Sequence, residues 1–241
     1  MELIEQVART SAIEASSDGV CWVYSPMVDI CHDSRWGRIA ESAGEDPYLG
    51  SVIAKAWVKG YQTNNDLSRK DNVMACVKHY ALYGAAEAGR DYNTVDMSRQ
   101  KAMNEYMLPY KAACEQGAGS YMASFNEFEG IPVTANKYLL DDVLRKQWGF
   151  NGFVVTDYTG TMELTNHGIG NEVEVTARAL KAGIDMDMVS EYFSQHLEEA
   201  LEKGIIELAD IDKACRRVLE AKYKLGLFDN PYKYCLLYTS P

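Results

Sequence analysis

The chain has 241 residues, 47% of them hydrophobic, and a formal net charge of −11. That length fits one large domain or two small ones, with enough apolar residues to bury a core. The acidic balance argues against nucleic-acid binding, which needs clustered Lys and Arg, and no apolar run reaches the roughly 20 residues that span a bilayer.

Residues 2–16 place Leu3, Ile4, Val7, Ala8, Ala12 and Ala15 at a helical period, and Ser17-Asp18-Gly19 breaks it. This opening is an amphipathic helix, not a signal peptide, so the chain is expected to begin inside a domain and its start does not indicate a compartment. Val20 to Tyr24 follows as a short strand stopped by Ser25-Pro26. The run from Asp29 to Gly44 holds Arg35, Trp36, Arg38 and Glu41, and resembles a long functional loop. Pro47 then starts a helix through Tyr61, with Glu45 and Asp46 at its positive end.

Val73 to Val77 is a second strand, ended by Lys78-His79-Tyr80. The loop from Gly84 to Val95 carries Arg90, Asp91 and Tyr92, and Ser98 caps a helix to about Gln116. Ser120 to Ser124 is a third strand, ended by Phe125-Asn126, and Asn136 to Trp148 is a helix stopped by Gly149. Gly152 to Gly160 reads GFVVTDYTG, a buried strand with Asp157 where it should end. The remaining predicted elements are a helix over 172–182, a strand over 184–188, and helices over 193–203 and 211–225.

Strands and helices thus alternate at about 30–45 residues per unit, the pattern of a parallel sheet. Polar or aromatic clusters follow the strands, as in a (β/α) barrel whose chemistry sits on one face. Only five strands are legible, so part of an eight-stranded barrel is expected.

Each strand-end residue has a bland reading beside a functional one. Asp157 is either an N-cap for the next helix or a nucleophile or base. Lys78 and His79 can bind ligand hydroxyls, or sit in solvent and in a core network; as neighbours in a strand they reach one pocket only if the backbone turns there. Arg38 and Arg90 can give paired hydrogen bonds or lie on the surface. Trp36, Tyr80, Tyr92 and Tyr158 suit stacking on sugar rings, or core packing. Asp185 and Asp187 share a strand face, where hydrogen bonding to neighbouring strand ends is the simpler role. Neither GxGxxG nor GxSxG is present, GIGNE at 168–172 reads as a turn, and His32, His79, His167 and His196 lack metal-site spacing. The six cysteines are scattered without a CxxC pair, Cys76 and Cys114 reading as small core residues. No metal or other cofactor is expected. A barrel aldolase using Lys78 as a Schiff-base amine would need a Gly-rich phosphate loop that the chain lacks.

Taken together, SPMVDICHDSRWGRIAESAGEDPYLGS, KHYALYGAAEAGRDYNTVDMS, SYMASFNEFEGIPVTANKYLLDDVLRKQWGFNGFVVTDYTG and AGIDMDMVS closely resemble glycoside hydrolase family 3, in particular its bacterial β-glucosidase branch. The resemblance covers nearly all of residues 1–232. It implies an incomplete α/β (β/α)8 TIM-barrel-type domain, with the first strand region and a following α/β sandwich domain missing. Residues 233–241, within KYCLLYTSP, match nothing in the family and read as foreign or truncation sequence. The activity implied is retaining hydrolysis of terminal β-glucosyl residues, with Asp157 as nucleophile, the acid/base Glu in the missing domain, and the isolated fragment inactive or very weak. Lys78, His79, Arg38 and Arg90 match hydroxyl-binding positions. Met122 and Phe125 match the pocket wall, the second often Tyr in relatives, and Tyr158 matches an aromatic lining the sugar site. The family's N-acetylglucosaminidase branch is set aside because KHYALYGA lacks that branch's second His. The partner implied is a β-linked glucoside or oligosaccharide, and the compartment periplasmic or secreted, with the cytoplasm possible. β-Xylosidase specificity and a non-catalytic carbohydrate-binding barrel are the alternatives.

Overall fold

The computed structural model describes residues 1–234. Its centre is a parallel sheet of β1 (Trp22–Val23), β2 (Met74–Tyr80), β3 (Ser120–Ala123) and β6 (Phe153–Thr156), in the order β1-β2-β3-β6. A small antiparallel pair, β4 (Glu127–Phe128) and β5 (Ile131–Pro132), stands apart. The predicted strand over 184–188 reduces to one bridge, Met186 to Val155, although Met186 N–H still donates to Val154 O (3.1 Å) and Thr156 N–H to Met186 O (3.0 Å). The sheet is an arc of a (β/α) barrel.

The longer helices are α1 (Glu2–Ser17), α2 (Pro47–Tyr61), α3 (Leu108–Glu115), α4 (Tyr138–Gln147), α5 (Glu172–Ala182), α6 (Tyr192–Glu202) and α7 (Leu208–Lys224). Their ends follow local chemistry. Asp46 accepts Leu49 N–H at 2.7 Å and Pro47 fills the first turn, which starts α2 at the predicted residue. Asn171 and Glu174 form a reciprocal capping box on α5. Gly183, at φ +124°, ends that helix.

The two faces of the sheet bury different cores. Ala75, Val77, Tyr121, Ala123 and Val154 pack outward with α2, α3 and α4. Met74, Cys76, Met122, Phe153 and Val155, with Met186 and Met188, form the inner cluster. Period-two alternation puts apolar side chains on both sides, as a parallel sheet covered on both faces requires.

Asp185 turns outward to Arg145, accepts Arg217 at 2.8 Å and takes Val154 N–H at 2.8 Å. Asp187 accepts Thr161 Oγ1 at 2.7 Å and Tyr192 N–H at 3.0 Å. Both acids hold neighbouring elements together. At the other end of the chain, Tyr234 is buried and donates to Leu67 or Leu225 carbonyls (3.1 and 3.2 Å). Lys233 Nζ donates to Ser68 O at 2.8 Å, and residues 235–241 lie outside the described residues.

Candidate active site

The strand ends on one side of the sheet bring four loops together. After β1, the chain stays against β2: Val28 N–H donates to Lys78 O at 2.8 Å, and Lys78 N–H to Pro26 O at 3.0 Å. The next residue is Asp29, only 1% exposed. The loop beyond it closes on itself through Ser42 Oγ, which donates to Asp29 O at 2.7 Å. Trp36 anchors that loop. Its ring is buried beside Cys31 and Tyr83, and its Nε1–H donates to Asp91 Oδ1 at 2.9 Å. Gly84 lets the loop after β2 come close, because a Cβ there would lie 2.4 Å from Ile30 O.

β2 runs three residues beyond its apolar run, to Tyr80, and its pairing with β3 shifts between Val77 and Tyr80. Lys78 is half-buried and His79 fully buried. His79 Nδ1 lies 2.9 Å from Asp29 Oδ2, and Nε2 lies 3.6 Å from Asp157 Oδ2. Tyr83 packs edge-on against the imidazole at 4.9 Å between centroids.

Asp157 stands one residue past β6, with its side chain 17% exposed. Tyr158 N–H donates to its Oδ1 at 2.7 Å, which leaves Oδ2 facing His79. Thr159, at φ +57°, and Gly160 then turn the chain into a short helix, so Asp157 is not the residue directly before it.

Arg38 lays its fork on Glu41, Nε to Oε1 at 2.7 Å and Nη2 to Oε2 at 2.9 Å, and stands 5.8 Å from the Tyr83 ring centre. The Arg38 hydrogen bond holds the Glu41 carboxyl below the usual range against partial burial, with Lys78 and His79 adding to the effect. Burial pushes the Tyr92 phenol up, and Asp91, Asp157 and Glu163 push the same way while Arg38 opposes them. Burial also pushes the Cys76 thiol up to about 12, with Lys78 and Asp157 acting in opposite directions on it. Arg38, His79 and Tyr92 all face the Tyr83 ring, and Glu41 and Asp157 stand against Arg38 and His79, which gathers these residues on one side of the sheet.

The other predicted site residues lie further out or further in. Phe125 is half-buried and packs on Tyr92 at 4.6 Å, forming an aromatic wall with Tyr83. Met122 is buried in the inner cluster beneath the site. Tyr158 is 60% exposed and enters through its backbone N–H rather than its ring. Arg90 is exposed and makes no ion pair or side-chain hydrogen bond among the described residues; Asp91 makes its loop's contact to Trp36. Asp29 and Tyr110 were not predicted. Asp29 is the first polar residue after the extended Pro26-Met27-Val28, so the strand-end rule that singled out Asp157 points to it as well. Tyr110 lies mid-helix, with no local signal.

The arrangement offers the Asp157 carboxylate, a fixed imidazole beside it, and two cations suited to hydroxyl groups. A family model, Glycosyl hydrolase family 3 N terminal domain, matches residues 1–221. The chain belongs to glycosyl hydrolase family 3. It is 45% identical over 235 residues to a periplasmic beta-glucosidase of Salmonella typhimurium, covering 97% of this chain and 31% of that protein. It is 38% identical over 240 residues to a beta-xylosidase of Formosa agariphila, covering 95% and 33%. Among solved structures, a beta-glucosidase from Listeria innocua in complex with glucose superposes with a TM-score of 0.94 at 41% identity, covering 95% of this chain and 32% of that one. The chain therefore spans about one third of the length of these family 3 relatives. The likeness makes the sheet a family 3 barrel arc, and the relatives are named as glycosidases.

Proposed function

We propose that the chain carries the nucleophile half-site of a retaining β-glycosidase that removes terminal β-D-glucosyl residues from β-glucosides and oligosaccharides. The observation that carries this reading is Asp157, accessible at a strand end, with Oδ1 tied by Tyr158 N–H and Oδ2 turned to His79. In this mechanism Asp157 Oδ2 attacks the anomeric carbon. A bond forms between them as the glycosidic C–O bond breaks, and its electron pair leaves on the departing oxygen. Arg38 and Lys78 donate hydrogen bonds to sugar hydroxyls, and Tyr92 and Phe125 supply an apolar wall. A second carboxylic acid protonates the leaving oxygen and then activates water, about 5–5.5 Å from the nucleophile in retaining enzymes. We assign it to a part of the protein beyond this barrel. The name of the Salmonella relative favours a compartment outside the cytoplasm.

The test uses dinitrophenyl β-glucoside, whose leaving group departs without protonation, together with azide, which needs no base. β-Glucosyl azide, the retained product, is expected. An α-azide would contradict double displacement. The Formosa relative supports a second reading, β-xylosidase specificity. A higher kcat/KM on the matching β-xyloside would favour it.

A further inference from the structure

We infer that Asp29 and Tyr110 are positioning residues for His79, fixing a hydrogen on Nδ1 and aiming Nε2 across the site at Asp157. The consequence for sugar chemistry rests on the proposed function; the ring geometry does not.

Three groups converge on the Asp29 carboxylate. His79 N–H donates to Oδ2 at 2.9 Å, Nδ1 lies 2.9 Å from the same oxygen, and Tyr110 Oη lies 2.5 Å from Oδ1. Tyr110 Oη is also 2.7 Å from His79 O, so its one hydrogen is shared between two acceptors, the carboxylate and the peptide that carries the ring. An ionised carboxylate only accepts hydrogen bonds, so the nitrogen facing it must bear the hydrogen. The partner of one ring nitrogen then decides what the other can do. Nε2 is left for the ligand side of the site, and Tyr83 against the ring edge limits its rotation. All three residues are buried, with Asp29 and His79 1% exposed and Tyr110 0%. Water therefore does not compete for these contacts. Asp29 also caps the end of β2 by accepting a backbone N–H, so a purely structural role is the reading to be separated.

The histidine protonation pattern separates them. The chain has four histidines, which makes 15N-histidine labelling tractable. Replacing His32, His167 and His196 in turn assigns the His79 signals. The expected result is a protonated Nδ1 with a slowly exchanging hydrogen in the wild-type chain. Asp29→Asn should shift the ring toward an Nε2–H form and slow labelling of Asp157 by a dinitrophenyl 2-fluoro-β-glucoside at least tenfold. Tyr110→Phe should keep Nδ1–H, with faster hydrogen exchange and a smaller loss of labelling. An unprotonated Nδ1 in the wild type overturns the inference, and this holds even where Asp29→Asn does not fold. A folded Asp29→Asn chain with unchanged ring protonation overturns it too, leaving Asp29 a strand cap. The predicted ring pattern without any labelling of the wild type would sustain the positioning role and refute the glycosidase reading instead.

Discussion

His79 Nε2 lies 3.6 Å from Asp157 Oδ2, the one ion-pair contact that the proposed nucleophile makes among the described residues. The gap is too long for a good direct hydrogen bond, and under the proposed function the pair shares a ligand hydroxyl. Hydrogen bonds involving an ionised group contribute about 1.5–3 kcal/mol. His79→Ala is therefore expected to slow labelling of Asp157 roughly 10- to 100-fold. It should also lower stability, because Asp29 loses a buried partner. Labelling time courses and urea denaturation check both.

Glu41 holds the fork of Arg38, and Glu41→Gln is expected to slow labelling by about tenfold through loss of a bidentate, charge-assisted contact. The effect on stability has a definite sign. The Glu41 carboxyl sits below its ordinary value of 4.5 in the folded chain because Arg38 hydrogen-bonds it. Its contribution is present above that value and disappears as pH falls through the folded value. The pair is partly solvated, so no more than about 1 kcal/mol is expected at neutral pH. Denaturation curves of wild type and Glu41→Gln should differ at neutral pH and converge as pH falls below the ordinary carboxylate value and through the lower folded one. A gap that widens on acidification would contradict the pairing.

Asp185 is a buried acid between Arg145 and Arg217 and also takes Val154 N–H from β6. Asp185→Asn leaves Arg145 buried without its counter-charge, and breaking such a pair costs about 3–5 kcal/mol. The urea midpoint should fall accordingly. A loss below about 1 kcal/mol would show that the arginines find other partners.

Gly84 is where the loops after β1 and β2 touch. In Gly84→Ala the new Cβ would meet Ile30 O at 2.4 Å. Backbone must move, at about 1–3 kcal/mol, and the shift separates the Asp29 loop from His79. Slower labelling together with a lower melting temperature is the expected pair of effects. Full labelling at reduced stability would mean that the loops yield without disturbing the site.

Helices were legible in the sequence where a cap marks them. Asp46-Pro47 started α2 and Gly183 ended α5 as read. β2 was read too short because Lys78-His79-Tyr80 breaks the apolar run while the ladder continues through it. The 184–188 segment has a strand's alternation, yet pairs at one residue only. In the site, the strand-end position of Asp157 was visible from its own loop. Asp29 and Tyr110 act through partners 31 to 81 residues away, and a local pattern does not encode such contacts. Arg90 and the Tyr158 ring point to solvent, which their residue types alone did not reveal.

The most direct test of the account is mass spectrometry of the chain after incubation with a dinitrophenyl 2-fluoro-β-glucoside. The fluorine slows release of the glycosyl-enzyme, and the leaving group needs no acid. A single 2-fluoroglucosyl adduct on the peptide containing Asp157, absent from Asp157→Asn, is the predicted result. An adduct on another carboxylate, or none on a chain that still unfolds cooperatively, would contradict it.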